Sequence, residues 1–193
     1  MNFTKKNTLI VLVAGKARSG KGEVASYMEK ILKKEGKKVI LSPYTKYLKR
    51  YIAEVTGEDF DDENKPRDLL QKISSELIKK KLSNPNFFIP RQQEDLSFYL
   101  YFMDVVIIPD VRFPEENNAI KEKFSNVFSI GVKRKDYIST LTKEQQEDIT
   151  EIALDDYHNY DIELENTSLE KLQSDVGDMI KKLEKEGRIW IKS

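Results

Sequence analysis

Residues Gly15 to Lys21 read Gly-Lys-Ala-Arg-Ser-Gly-Lys, the spacing G-x-x-x-x-G-K. Glycines are needed there because backbone N–H groups must turn inward on an anion. The lysine is needed because a mobile cation must follow a transferring phosphoryl group. A helix beginning at the lysine would add the positive end of its dipole. The chemistry expected of Gly15, Lys16, Ala17, Arg18, Ser19, Gly20, Lys21 and Gly22 is therefore the cradling of a nucleoside triphosphate. Lys16 and Arg18 exceed the minimal motif and suit a place where two phosphorylated ligands meet. The Ser or Thr that commonly follows such a lysine and ligates magnesium is replaced by Gly22, with Glu23 next. Any metal must then be held from elsewhere.

The loop needs a strand before it and a helix after it. Thr8 to Ala14 is a continuous, β-branched apolar run, the pattern of a strand buried on both faces of a parallel sheet. Beyond the loop Val24, Tyr27, Met28, Ile31 and Leu32 recur at helical spacing, and Gly36 supplies a stop. Lys38 to Leu41 reads as a second strand, which completes the opening of a doubly wound α/β fold. Helices are expected over Tyr44 to Thr56 and Pro66 to Leu82, the latter with Leu69, Leu70, Ile73, Leu77 and Ile78 on one face. Phe87 to Met103 reads as partly helical and mostly buried.

Asp104 to Pro109 is a third apolar strand that delivers Asp110, Val111 and Arg112 at its carboxyl end, where ligands sit in such sheets. A short helix over Glu115 to Phe124, strands at Val127 to Val132 and Tyr160 to Leu164, and a last amphipathic helix through Leu169 to Leu183 complete the expected order. The polar, initially basic segment over 133–150 is a candidate lid.

The 193 residues suit one domain. Lys plus Arg and Asp plus Glu balance at 33 each, so no global field exists to hold a nucleic-acid backbone or an anionic membrane. The absence of cysteine removes disulfides, a thiol nucleophile and cysteine-ligated zinc. No apolar run approaches the length of a membrane span, and the first residues lack a signal-peptide pattern. A cytoplasmic location is expected. The one histidine, His158, reads as a surface or packing residue.

Three further blocks join the loop in order along the chain. They are Lys65-Pro66-Arg67-Asp68-Leu69-Leu70-Gln71, Ile108-Pro109-Asp110-Val111-Arg112-Phe113-Pro114-Glu115-Glu116, and Thr150-Glu151-Ile152-Ala153-Leu154-Asp155 with Tyr160-Asp161 and Glu165-Asn166-Thr167 behind it. Together they resemble the deoxynucleoside monophosphate kinases of phages and bacteria, and also their relatives the animal-type phosphomevalonate kinases, over about Leu9 to Leu183. The resemblance implies a three-layer α/β/α P-loop kinase fold with a parallel five-stranded sheet, and a small helical acceptor region within residues 44–103. It implies ATP and Mg2+ as cofactors, small-molecule nucleotides as partners, and no nucleic acid or membrane.

What the resemblance implies for single residues has physical reasons behind it. Lys21 would bind the β- and γ-phosphates. Asp110 would hold magnesium, directly or through water. Arg112 and Arg67 would grip the acceptor phosphate with guanidinium forks. Arg134 would fold over the phosphates from the lid, excluding water. Asn166 and Thr167, just after the last strand, would contact the adenine. No general base is needed when the acceptor oxygen is already ionised. Two alternatives stand beside this reading: the same chemistry on a non-nucleotide phosphate such as phosphomevalonate, and a nucleotide-binding regulator without catalysis. The second is motivated by Gly22, Glu23 and Asp148, the last standing where the family often has histidine.

Overall fold

The structure, a computed structural model, describes residues 3–57, 67–73, 76–78, 84, 86–134 and 152–189. Five strands form one sheet: β1 (Leu9–Ala14), β2 (Val39–Leu41), β3 (Val105–Val111), β4 (Val127–Arg134) and β5 (Ile162–Asn166). Their spatial order is β2-β3-β1-β4-β5, and every neighbouring pair is parallel. The helices are α1 (Lys21–Lys34), α2 (Thr45–Thr56), α3 (Arg67–Lys72), α4 (Ile89–Tyr99), α5 (Pro114–Lys123) and α6 (Leu169–Lys185).

β1 is the centre of the sheet because its side chains are apolar at every position and so suit burial on both faces. Leu9, Val11 and Val13 pack into a core with Val24, Met28 and Leu32 of α1 and Leu172, Val176 and Ile180 of α6. Ile10, Leu12 and Ala14 point to the opposite core, with Tyr44, Leu96 of α4 and Ile120 of α5. Each such burial contributes about 1.5–3 kcal/mol. Helices therefore cover both faces, as the three-layer expectation required.

β3 runs two residues beyond the proline at which the sequence pattern ended it. Leu12 pairs with Ile108 but Ala14 pairs with Val111, so β3 carries one extra residue across that step. Pro109 lies in this bulge, where the ladder skips and its missing N–H costs little. The bulge also breaks strict alternation, since Val106, Ile108 and Val111 all reach the same core.

Two further boundaries differ from expectation. β4 continues through Lys133 and Arg134 because β5 pairs with it that far, Arg134 opposite Asn166. The first two residues of the candidate lid are thus strand, and 135–150 lie outside the described residues. β5 begins at Ile162 rather than Tyr160, because Tyr160 packs its ring over Gly131 and Asp161 accepts the Ser129 N–H at 2.7 Å. Asn166 consequently ends the strand instead of following it.

After α3 the chain continues through 73 and 76–78 in wider, π-type turns. The stripe read at 3.6 residues per turn divides accordingly: Leu70, Ile73 and Ile78 join a small core with Leu48 and Ile52, while Leu69 and Leu77 are exposed. Gln92, wholly buried, ties α4 to the end of β2. Its Nε2 donates to the Ser42 carbonyl and hydroxyl at 2.9 Å each, and its Oε1 lies 3.0 Å from the Tyr47 hydroxyl.

Candidate functional site

The loop between β1 and α1 has the shape its glycines predicted. Gly15 (φ 150°) and Gly20 (φ 104°) take backbone conformations that L side chains rarely adopt. A Cβ on Gly15 would lie 2.4 Å from the Val132 carbonyl oxygen, and one on Gly20 would lie 2.5 Å from the Asn166 Nδ2. Arg18 sits in the left-handed region at φ 58°, which costs roughly 1 kcal/mol or more for a residue with a Cβ. Such strain persists where the surrounding chain over-determines a loop.

Three interactions set the loop's interior. The Lys16 carbonyl accepts the Ser19 N–H at 3.3 Å and the Lys21 ammonium at 2.6 Å, so the buried lysine lies back over the loop. Asn166 Nδ2 donates to the Ser19 carbonyl at 2.9 Å, tying the loop to the end of β5. The Ser19 hydroxyl is buried and has no hydrogen-bond partner among the described residues. A buried hydroxyl in that condition costs about 1–3 kcal/mol. An anion in the cradle fits it, since that would offer an acceptor where the described residues offer none.

The carboxyl end of β3 lies alongside. Because Ala14 pairs with Val111, the next residues, Gly15 and Arg112, leave the sheet side by side. Both oxygens of Asp110 are engaged at the start of α2, accepting the N–H groups of Tyr44 at 2.8 Å and Thr45 at 2.9 Å. A carboxylate has about four acceptor sites, so two remain for a water or a cation. Among the described residues no three His, Cys, Asp or Glu side chains converge on a possible metal position. A magnesium ion here would lean on Asp110, water and phosphate oxygens, which suits its reluctance to dehydrate.

Arg112 is fixed through its backbone. Glu116, at the third position of α5, reaches back so that one carboxylate oxygen accepts the N–H of Arg112 at 2.7 Å and of Phe113 at 3.1 Å. Pro114 opens the helix where no N–H is needed. Beneath them, burial and the carboxylates of Glu116 and Asp110 push the Tyr44 hydroxyl well above its usual range.

Other predicted residues fall as follows. Lys16 extends to the segment before β5, its ammonium 2.6 Å from Asp155 Oδ1. Arg134, at the end of β4, directs Nη1 to the Arg18 carbonyl at 3.4 Å. Thr167 is exposed next to Ser168, whose hydroxyl accepts the Lys171 N–H at 3.1 Å and caps α6. Arg67 begins α3, and its side chain lies outside what the structure describes, as do Glu151 and Asp148. His158 is 71% exposed with the Glu163 carboxylate 4.0 Å away, a surface residue as expected.

Of the aromatics between Phe87 and Phe102, Phe87 and Phe88 pack on Tyr51 and Tyr47, while Phe98 is exposed. Asp155 and Glu116 were not singled out by the sequence reading. Phe-Pro-Glu-Glu was a legible signal for Glu116, because a glutamate at the third helical position commonly reaches back to the cap. Asp155 closes one of the blocks that carry the resemblance, but nothing local to it signalled a pairing with Lys16.

A crossover sheet of this strand order, with a strained glycine loop entering α1, is decisive for the architecture. The fold is that of the P-loop kinases. Among solved structures, one from Chloroflexus aurantiacus described as a kinase is 11% identical with a TM-score of 0.53, matching 93% of this chain and 98% of that one. The Mycobacterium tuberculosis APS kinase CysC, solved with AMPPNP and APS, is 12% identical with a TM-score of 0.50, over 91% and 99%. Shikimate kinase from Acinetobacter baumannii, solved with shikimate, is 9% identical with a TM-score of 0.50, over 93% and 94%. At these identities the likeness is one of fold. No family model matches the chain, and no curated protein matches it. Among the described residues no helix of this P-loop kinase fold is long and apolar enough to cross a membrane.

Proposed function

We propose that the protein transfers the γ-phosphoryl group of ATP to a small phosphorylated acceptor, a nucleoside monophosphate, giving the diphosphate and ADP. The observation that carries the reading is the register of β1 against β3. It sets the phosphate loop and Arg112 side by side, so that a triphosphate on one strand end would face an arginine on the next. Two phosphates brought together by fixed donors are what this transfer requires.

An oxygen of the acceptor phosphate attacks the γ-phosphorus, and the bond to the β–γ bridging oxygen breaks. The acceptor is already anionic near neutral pH, so no residue has to remove a proton. Lys21 supplies the positive charge that follows the transferring group. Arg112 holds the acceptor, with Arg67 as a further contact, and Arg134 lies at the loop's rim to help exclude water. Magnesium, when bound, neutralises phosphate charge, and Asp110 is the residue that would hold it. Asn166 and Thr167, at the end of β5, would contact the adenine.

The test is magnesium-dependent ADP release across a panel of deoxynucleoside monophosphates, with phosphomevalonate as the non-nucleotide comparison. Turnover with at least one nucleotide and none with phosphomevalonate supports the reading; the reverse pattern replaces it with the non-nucleotide one. Tight ATP binding without turnover on any acceptor would make the protein a regulator. Lys21→Ala should lower turnover by about a hundredfold or more while the fold survives, and wild-type rates in that variant would remove the loop from the chemistry.

A further inference from the structure

The segment from Ile152 to Tyr160 leads into β5 and meets the phosphate loop through Asp155. Leu154 packs against the core shared by Tyr44, Ile108, Val111 and Ile120. The Tyr157 hydroxyl lies 2.9 Å from Asn117 Nδ2 and 2.8 Å from Asn118 Oδ1, both on α5. Tyr160 lies over Gly131, where even a Cβ would come within 2.7 Å of the ring. Between these anchors Asp155 meets the Lys16 ammonium at 2.6 Å, with the two side chains 45% and 54% exposed.

An exposed ion pair is worth only about 0–1 kcal/mol in stability, and the core packing of Leu154 and Tyr160 fixes the segment without it. The placement is more informative. The anchors lie on the sheet face that α4 and α5 cover, and α5 begins two residues after Arg112. Asn166 approaches the same loop from the other side, at the end of β5. Lys16 is therefore drawn toward the segment that packs on the same sheet face as α5, the helix that follows Arg112. A lysine ammonium has three donors. Asp155 takes one, and among the described residues no salt bridge to another carboxylate is made by that ammonium, so the others can serve phosphate oxygen.

We propose that Asp155 is a positioning residue that orients the Lys16 ammonium toward the acceptor phosphate. This rests on the kinase reading given above. Asp155 touches neither phosphate itself; it limits where a flexible four-carbon side chain can place its charge, and a misplacement of about 1 Å in such groups costs up to about a hundredfold in rate.

Five proteins test this: wild type, Asp155→Asn, Asp155→Glu, Lys16→Met, and Asp155→Asn combined with Lys16→Met. Asp155→Asn should raise the acceptor KM or lower kcat/KM for the acceptor about tenfold, with the ATP Kd changed by less than about twofold. Asp155→Glu should restore part of the loss, and the double variant should be no worse than Lys16→Met. Acylation of Lys16 by an amine-reactive reagent, read by peptide mass spectrometry without ligands, should speed up several-fold in Asp155→Asn. Wild-type acceptor kinetics in Asp155→Asn, an equal loss of ATP affinity, losses additive with Lys16→Met, or unchanged Lys16 labelling would each overturn the proposal. If the wild type phosphorylates no acceptor, the kinase reading fails and takes the positioning role with it. The labelling result then still decides separately whether Asp155 holds Lys16.

Discussion

At the scale of single residues, the loop is defined as much by what it cannot admit as by what it donates. Gly15 combines a backbone angle unsuited to a side chain with a carbonyl oxygen 2.4 Å from where a Cβ would sit, and that neighbour is backbone and cannot swing away. Gly15→Ala should therefore cost about 2–3 kcal/mol in unfolding free energy and weaken ATP binding together with it. Urea denaturation beside nucleotide titration checks both, and an alanine variant as stable as wild type would contradict the geometry. Gly22 has open space around it, so its presence where a hydroxyl commonly stands is not forced by packing. Glycine spacing made the loop legible from sequence because the backbone demand is local. The Lys16 pairing with Asp155 and the Asn166 bond to Ser19 were not legible, since each joins residues more than a hundred positions apart.

At the scale of elements, the site is assembled by carboxylates that hold helix ends. Asp110 gathers two N–H groups at the start of α2. Asp110→Ala should thus destabilise the fold by about 1–2 kcal/mol in addition to raising the magnesium concentration needed for turnover. A variant that changes only the magnesium requirement would show that the helix contact contributes nothing. Asp161 does comparable work at the start of β5. Burial pushes its carboxyl up, but the Ser129 N–H and hydroxyl and the Lys121 ammonium outweigh that and hold it below the usual carboxylate range. A lowered folded pKa gives stability that is fully present above the unfolded value, about 4, and disappears as the pH falls through the folded one. The melting-temperature gap between wild type and Asp161→Asn should therefore be widest near neutrality and close in acid. A gap independent of pH would exclude this linkage. Strand and helix types were readable from period and composition, whereas the ends of β3, β4 and β5 were not, because a bulge and strand pairing decide them.

For the whole molecule, the sheet divides two packing environments. α1 and α6 close one face, and α4, α5 and the segment bearing Leu154 close the other. Ile107, fully buried in β3 beside β1, belongs to the first. Ile107→Ala should cost about 2–5 kcal/mol, measured as a lower urea midpoint, and a loss under 1 kcal/mol would imply a looser core than this packing describes. The parallel order could be expected from the apolar runs, since strands buried on both faces need crossover helices. The acceptor's identity could not, because apolar patterning records where the core lies and says nothing of what the open strand ends receive.

The extra residue at Pro109 has a consequence for how the protein could be altered. Removing that one residue would let β1 and β3 pair without interruption, a change the sheet could accommodate. Ile108 and Val111 would then stand two positions apart, so Val111 would keep its core face and its pairing with Ala14, while Asp110 would be drawn into plain alternation and away from its hold on α2. A one-codon deletion at this position therefore edits a single carboxylate: the sheet and the step of Arg112 beside Gly15 are kept, while Asp110 alone is delivered out of step with α2.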